Sequence, residues 1–337
     1  MADKLRPILD AYLAGGMPAN IALMRLCIEA DSPEAVRAAI EGADLSEAGA
    51  GPFSRVGEGQ GEGPPSPGRS PPSPRPSPTR ERGPVALRGS NDGDARLSEL
   101  KALLDRHGTA WATIRAVMAE AEHDRAPGDG EDPVAHWGAV FDRLARRAPE
   151  AGVALYALGS PDLLAAATGE VVDTMRGWGL LGPDRAMVEI GCGIGRLSLG
   201  LAPEMGSVVG LDVSGGMIAE AARRGAGVRN VRFRQTSGRD LGGIADASVD
   251  LVLAADTVPY LVAAGERLAE RHVAEAARVL RRGGGLLVLN YSYRGDADLD
   301  RREFRAAAEA SGLVVEREGT RDFSLWDGTT FLARKPG

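Results

Sequence analysis

Cysteine and lysine are nearly absent from this 337-residue chain, and each shortage excludes something. Its two cysteines, Cys27 and Cys192, cannot build a disulfide framework, and with four histidines they form no spacing that suits a zinc site. Of 40 basic residues all but three (Lys4, Lys101 and Lys335) are arginine, a bias that fits a GC-rich genome better than arginine-specific recognition. Acidic residues number 47, leaving a net charge of −7, and no basic run stands outside a low-complexity stretch. Nucleic acid is therefore not an expected partner. No apolar run approaches bilayer-spanning length, and the N-terminus lacks the basic-then-apolar build of a signal peptide. The expectation is a cytoplasmic, soluble chain with no membrane partner and no metal.

What the chain does have is a glycine loop in a telling place. Apolar Ala186, Met187 and Val188 run through Glu189 and Ile190 into Gly191, Cys192, Gly193, Ile194 and Gly195, and Leu197, Leu199 and Leu201 begin a helical pattern. That reads as a buried strand, a glycine turn and a helix start, the arrangement by which α/β proteins hold a nucleotide-like ligand. Glycine is expected at these positions because the turn needs positive φ and a side chain would hold a ligand off the backbone. A dinucleotide fingerprint would place its third glycine at position 196, where Arg196 stands instead. No Gly-Lys-Ser/Thr follows, so a phosphate-binding P-loop is excluded too. Glu189 suits a cationic or amino-bearing ligand better than a pyrophosphate. The pattern E-x-G-x-G-x-G closely resembles the first motif of class I S-adenosylmethionine-dependent methyltransferases.

Several later stretches fit that resemblance in order. Ser207 to Asp212 reads as a second strand ending in an acid that can accept ribose hydroxyls, with Ser214 as the cap of the next helix. Strands are expected at Val231–Gln235, Val249–Ala254 and Leu286–Leu289, a helix at Arg267–Leu280 closed by Arg281 to Gly285, and a final helix near Glu303–Ser311 followed by strand-like runs at Leu313–Glu318 and Thr329–Ala333. This alternation predicts an α/β, Rossmann-like seven-stranded mostly parallel sheet with helices on both faces, preceded by a small all-helical N-terminal module. The resemblance implies S-adenosylmethionine as cofactor, with Asp212 on the ribose, Val213 and Met217 near the adenine, and Glu189, Gly191, Cys192, Gly193 and Gly195 around the amino-acid end. It also implies Ser237, Gly238 and Arg239 at the adenine edge, Ser237 standing where the family commonly has aspartate, and Ala255 beside the ligand.

The front half is expected to be one helical module, residues 1–125, interrupted by a disordered insert at about 50–94. Ten of the 21 prolines fall between Pro52 and Pro84, among glycine, serine and arginine, too little apolar surface to offset ordering entropy. A polar break at 126–132 precedes the expected methyltransferase domain, residues 133–337, with lead-in helices in 133–181. Trp137, Phe141 and Tyr156 in that lead-in are candidates for a lid over the cofactor or for ordinary core.

Methyl transfer from a sulfonium demands alignment more than a special side chain, so the sequence singles out no catalytic group. Candidates near the carboxyl edge of the sheet are Asp256 and Tyr260 after the fourth strand, and Tyr291, Tyr293 and Arg294 after the fifth. His272, mid-helix, reads as structural. The expected function is methylation of a small-molecule acceptor. A non-catalytic module that binds S-adenosylmethionine and a nicotinamide oxidoreductase are the alternatives, Arg196 counting against the latter. A protein partner or second copy through the N-terminal helices is a further expectation.

Overall fold

The computed structural model describes residues 2–43, 91–121, 130–265 and 267–337. Seven strands form one sheet: β1 Gly182–Ile190, β2 Met205–Asp212, β3 Val231–Gln235, β4 Val249–Ala255, β5 Leu280–Leu289, β6 Val314–Thr320 and β7 Thr330–Arg334. Their spatial order is β3-β2-β1-β4-β5-β7-β6, and β7 runs antiparallel to both its neighbours while β3, β2, β1, β4 and β5 are mutually parallel. The order reverses at β1, which pairs with β2 on one side and β4 on the other, so a crevice opens at the carboxyl ends of these three strands.

Strand alternation divides the core between the two faces. Val188, Val252, Ala254, Leu286 and Val288 point to one, where they meet Val273, Ala276 and Phe304. Met187, Leu251, Leu253, Leu287 and Leu289 point to the other, against Leu164, Val171 and Met175. The helices that supply these partners are α8 Pro161–Gly177 and, on the first face, α12 Leu268–Val279 and α13 Ala297–Ala310. Short helices α9 Arg196–Leu201, α10 Gly215–Arg224 and α11 Val258–Ala263 follow β1, β2 and β4. The expected turn at Arg281–Gly285 is instead part of β5, whose pairing with β4 is irregular between Val249 and Leu251.

Ahead of the sheet lie α1 Ala2–Leu13, α2 Ala19–Glu29, α3 Pro33–Glu41, α4 Asn91–Arg106, α5 Ala110–Ala121, α6 Pro133–Arg147 and the single turn α7 Pro149–Val153. Ser32 and Ser160 each stand before a proline and accept a backbone N–H of the first turn, and Asp132 does the same before Pro133. Residues 91–94, expected to be the tail of the insert, are the first turn of α4, where Asp92 and Asp94 complement the helix dipole. The rest of the expected insert, residues 50–90, lies outside the described residues, as does most of the break at 126–132.

Helices from either side of that segment share one core: Leu5, Leu9, Tyr12, Leu23, Leu26 and Ile40 pack with Leu97, Leu100, Leu104 and Ile114. The Tyr12 hydroxyl donates to the Arg96 carbonyl at 2.7 Å, and the Arg96 guanidinium lies 4.4 Å above the Tyr12 ring. This helical group is also tied to the sheet. Asn20, 3% exposed, donates from Nδ2 to the carbonyls of Tyr156 (3.0 Å) and Leu325 (2.7 Å), and Arg25 pairs with Asp327 at 2.6 Å. Among the described residues no helix is long and apolar enough to cross a membrane.

Candidate functional site

The glycine loop lies in the crevice at the switch point. Gly191, Gly193 and Gly195 all have positive φ (67°, 52° and 77°), which L side chains rarely adopt. A further reason for glycine lies in the packing around the loop. A Cβ on Gly191 would stand 2.0 Å from Thr257 Oγ1, one on Gly193 2.7 Å from Val153, and one on Gly195 2.6 Å from Phe233. These neighbours are protein, so the glycines also serve the close meeting of loop, lead-in and sheet. Thr257 Oγ1 donates to the Ile190 carbonyl at 2.9 Å, which fixes the carboxyl end of β1 against that of β4.

Asp212 ends β2, 8% exposed. Its Oδ2 accepts from the Gly193 N–H at 2.8 Å and its Oδ1 from the Ser214 N–H at 2.9 Å, so the acid fastens the glycine loop to the start of α10. Burial pushes its pKa up while the backbone donors pull it down. Each oxygen retains a lone pair for a further donor. Glu189, 2% exposed, accepts from the Ser198 hydroxyl, and burial raises its carboxyl to about 7.

A cavity of about 640 Å³ runs past both acids. Its wall includes Glu189, Gly191, Cys192, Gly193, Asp212, Val213, Gly238 and Ala255, all singled out from the sequence, and the expected lid residues Trp137, Phe141 and Tyr156. Four expected members lie elsewhere. Met217 is fully buried beside Trp137 and Ile194, because the Ser214 cap starts α10 with that position turned inward. Ser237 is exposed and accepts from the Arg239 N–H, and Arg239 reaches out to Asp132 at 2.6 Å. Thr236, Asp240 and Leu241 line the wall in their place. Gly195 is buried behind the loop against Phe233.

At the other end of the cavity, beyond β4 and β5, stand Asp256, Tyr260, Asn290 and Tyr293. Asp256 and Asn290 are non-glycine residues with positive φ (52° and 65°) at the ends of neighbouring parallel strands. Their side chains meet: Asn290 Nδ2 donates to Asp256 Oδ1 at 2.6 Å, and the Tyr293 hydroxyl donates to the same oxygen at 3.1 Å. Strained backbone of this kind costs on the order of 1–3 kcal/mol per residue and is characteristic of functional sites. Burial raises the Asp256 carboxyl to about 6. Tyr291, another sequence candidate, points the opposite way into the core with Phe304 and Phe331, and Arg294 pairs with Asp300 and Glu303. His272 does reach the wall, its Nδ1 donating to the Leu268 carbonyl at 2.9 Å, and burial lowers its pKa.

Sequence reasoning missed two contributions to the wall. Arg196 projects into the cavity, donating to the hydroxyls of Tyr156 (3.1 Å) and Thr168 (3.2 Å). Met24 and Ile28 of α2 and Val117 and Met118 of α5 supply an apolar side. Helical periodicity marks such residues as semi-buried, and only the docking of α2 shows against what.

The donor set tests which ligand fits. Two carboxylates flank the glycine loop, and acceptor-only groups suit an ammonium and a ribose diol but repel a pyrophosphate. No cluster of His, Cys, Asp or Glu among the described residues could hold a metal ion. An amino-acid-bearing nucleoside fits these residues.

Fold and site together define an α/β nucleoside-binding domain, and the comparisons name its kind. Residues 188–288 match the family described as methyltransferase domain. A Saccharomyces cerevisiae protein named as a probable S-adenosylmethionine-dependent methyltransferase is 32% identical over 82 residues, 23% of this chain. The aligned stretch spans only 28% of that yeast protein's length. Among solved structures, a Haemonchus contortus phosphoethanolamine N-methyltransferase is 16% identical with a TM-score of 0.48, the likeness covering 60% of this chain and 49% of that one. A methyltransferase in complex with its Trm112 activator from Haloferax volcanii is 20% identical with a TM-score of 0.45, over 58% and 98% respectively. Residues 188–288 are by this match a methyltransferase domain, and the name of the yeast relative points to S-adenosylmethionine as its cofactor.

Proposed function

We propose that the protein is a cytoplasmic enzyme that transfers a methyl group from S-adenosylmethionine to a small-molecule acceptor. The observation that carries this reading is the buried Asp212 carboxylate at the end of β2, fastened to the glycine loop and facing a cavity. Asp212 is assigned to the ribose hydroxyls, Glu189 to the amino end of the ligand, and Gly238 with Leu241 to the adenine edge. When bound, S-adenosylmethionine supplies an electrophilic methyl group on a sulfonium. The protein aligns the two reactants and keeps water out through Trp137, Phe141 and Tyr156.

Titration calorimetry with S-adenosylhomocysteine and with NAD tests the ligand. Binding of the first and not the second is expected, and Asp212→Ala should weaken it by about tenfold or more, the value of one or two charge-assisted hydrogen bonds. Tight NAD binding, or undiminished affinity in Asp212→Ala, would overturn the assignment. Label from methyl-labelled S-adenosylmethionine should then pass to a component of a metabolite extract. A protein that binds the cofactor and moves no label would be a sensor rather than an enzyme.

A further inference from the structure

Beyond the residues assigned to the nucleoside, the lining of the cavity has two unlike parts. One is apolar and comes from outside the sheet: Met24 and Ile28 of α2, Val117 and Met118 of α5. The other is polar and belongs to the ends of β4 and β5, where Asn290 and Tyr293 both donate to Asp256 Oδ1 and leave Oδ2 without a hydrogen-bond partner among the described residues. Between them runs a chain of aromatic rings. Tyr260 packs edge-on against Trp137 (centroids 4.8 Å apart) and Phe141 (5.2 Å), and Tyr293 follows at 6.0 Å. Aromatic faces beside a carboxylate favour a cation, and apolar surface opposite favours an apolar body. Arg196, held by Tyr156 and Thr168, also faces the cavity and acts on Asp256. The carboxylate is therefore shared between this guanidinium and an incoming ammonium, and the octanoate arm of the test below decides between the two charges.

Resting on the methyltransferase reading, we propose that the acceptor is an amine on an apolar body, its nitrogen at Asp256 and its body against α2 and α5. The amine arrives as an ammonium. One proton passes from nitrogen to the Asp256 carboxylate, and the freed lone pair forms the new N–C bond as the C–S bond breaks with its electron pair kept by sulfur. The products are a methylated ammonium and a thioether, and Asp256 returns its proton to solvent. A carboxyl raised to about 6 by burial stays ionised at neutral pH and is a better proton acceptor than an exposed aspartate.

The test is binding rather than turnover. Tryptophan fluorescence and calorimetry, with S-adenosylhomocysteine saturating, would compare octylamine with octanol and octanoate. Octylamine should bind at least about tenfold tighter than either, and lengthening the chain from hexylamine to octylamine should tighten binding by about threefold per methylene. Asp256→Asn keeps the shape and tolerates positive φ, so it should hold S-adenosylhomocysteine yet lose about tenfold in octylamine affinity. Met118→Lys should abolish the chain-length dependence. Equal binding of octanol or octanoate, or an undiminished amine affinity in Asp256→Asn, would overturn the proposal while leaving the cofactor assignment intact. Failure of S-adenosylhomocysteine itself to bind would instead overturn the reading beneath it.

Discussion

Glu189 shows how one side chain can report on the whole site. Burial raises its carboxyl from 4.5 to about 7, so the folded protein holds this proton more tightly than the unfolded chain does. The stability it contributes is therefore complete below about pH 4.5 and is lost as pH rises through about 7. A ligand ammonium placed beside Glu189 acts in the opposite sense by stabilising the carboxylate. Binding of S-adenosylmethionine near pH 7 should then expel about half a proton from a group that is half protonated. Calorimetry in buffers of different ionisation heat measures that release directly. Glu189→Gln should bind without this component, and release that survives the substitution would place the ligand's amino group elsewhere. Arg196 lowers and Asp212 raises the Glu189 pKa, so Arg196→Met should raise the apparent pKa and enlarge the release.

At the scale of elements, the glycine loop was legible in the sequence, but the partners that enforce it were not. Three glycines between a strand and a helix announce positive φ. Nothing near Gly191 announces Thr257, which lies 66 residues further on and meets it only because β1 and β4 are adjacent. Gly191→Ala should therefore cost about 2–5 kcal/mol, combining left-handed strain with overpacking against Thr257. Adding Thr257→Ala should recover part of that loss, a coupling that urea denaturation of the two single variants and the double variant would measure. Additive losses would show that strain alone demands the glycine. The same distinction explains the other outcomes. Asp212 was readable because a strand end is a local feature, whereas Met217 was misplaced because one cap hydrogen bond, from its own N–H to Ser214 Oγ at 3.0 Å, sets the register of α10. Tyr291 and Tyr293 look equivalent in sequence, yet positive φ at Asn290 sends the first into the core and leaves the second 61% exposed at the cavity. No local signal aimed Arg196 or Met118 at the cavity, since their exposure to it depends on where α8 and α5 come to rest.

For the molecule as a whole, the question is whether the N-terminal helices depend on the proline-rich stretch that the sequence places between them. Helices α1 to α3 and α4 already share a core of Leu9, Tyr12, Leu26, Ile40, Leu100 and Leu104, and Arg96 donates to the carbonyls of Tyr12 (2.7 Å) and Met17 (2.8 Å). These contacts join residues on either side of the stretch without using any part of it. The same helices carry Asn20 and Arg25 to Tyr156, Leu325 and Asp327, and so set Met24 and Ile28 into the cavity wall. If packing alone holds this arrangement, removing residues 52–90 should shorten a connection and leave the core as it is. Loop-closure entropy changes only with the logarithm of length, so the deletion should shift stability by only about 1.5 kcal/mol, in the stabilising direction. Melting temperature and affinity for S-adenosylhomocysteine should both stay near those of the full chain. A fall in melting temperature with unchanged affinity would mean that the stretch packs on the helices away from the site. A loss of both would mean that it reaches the cavity, and the passive role read from its composition would be wrong.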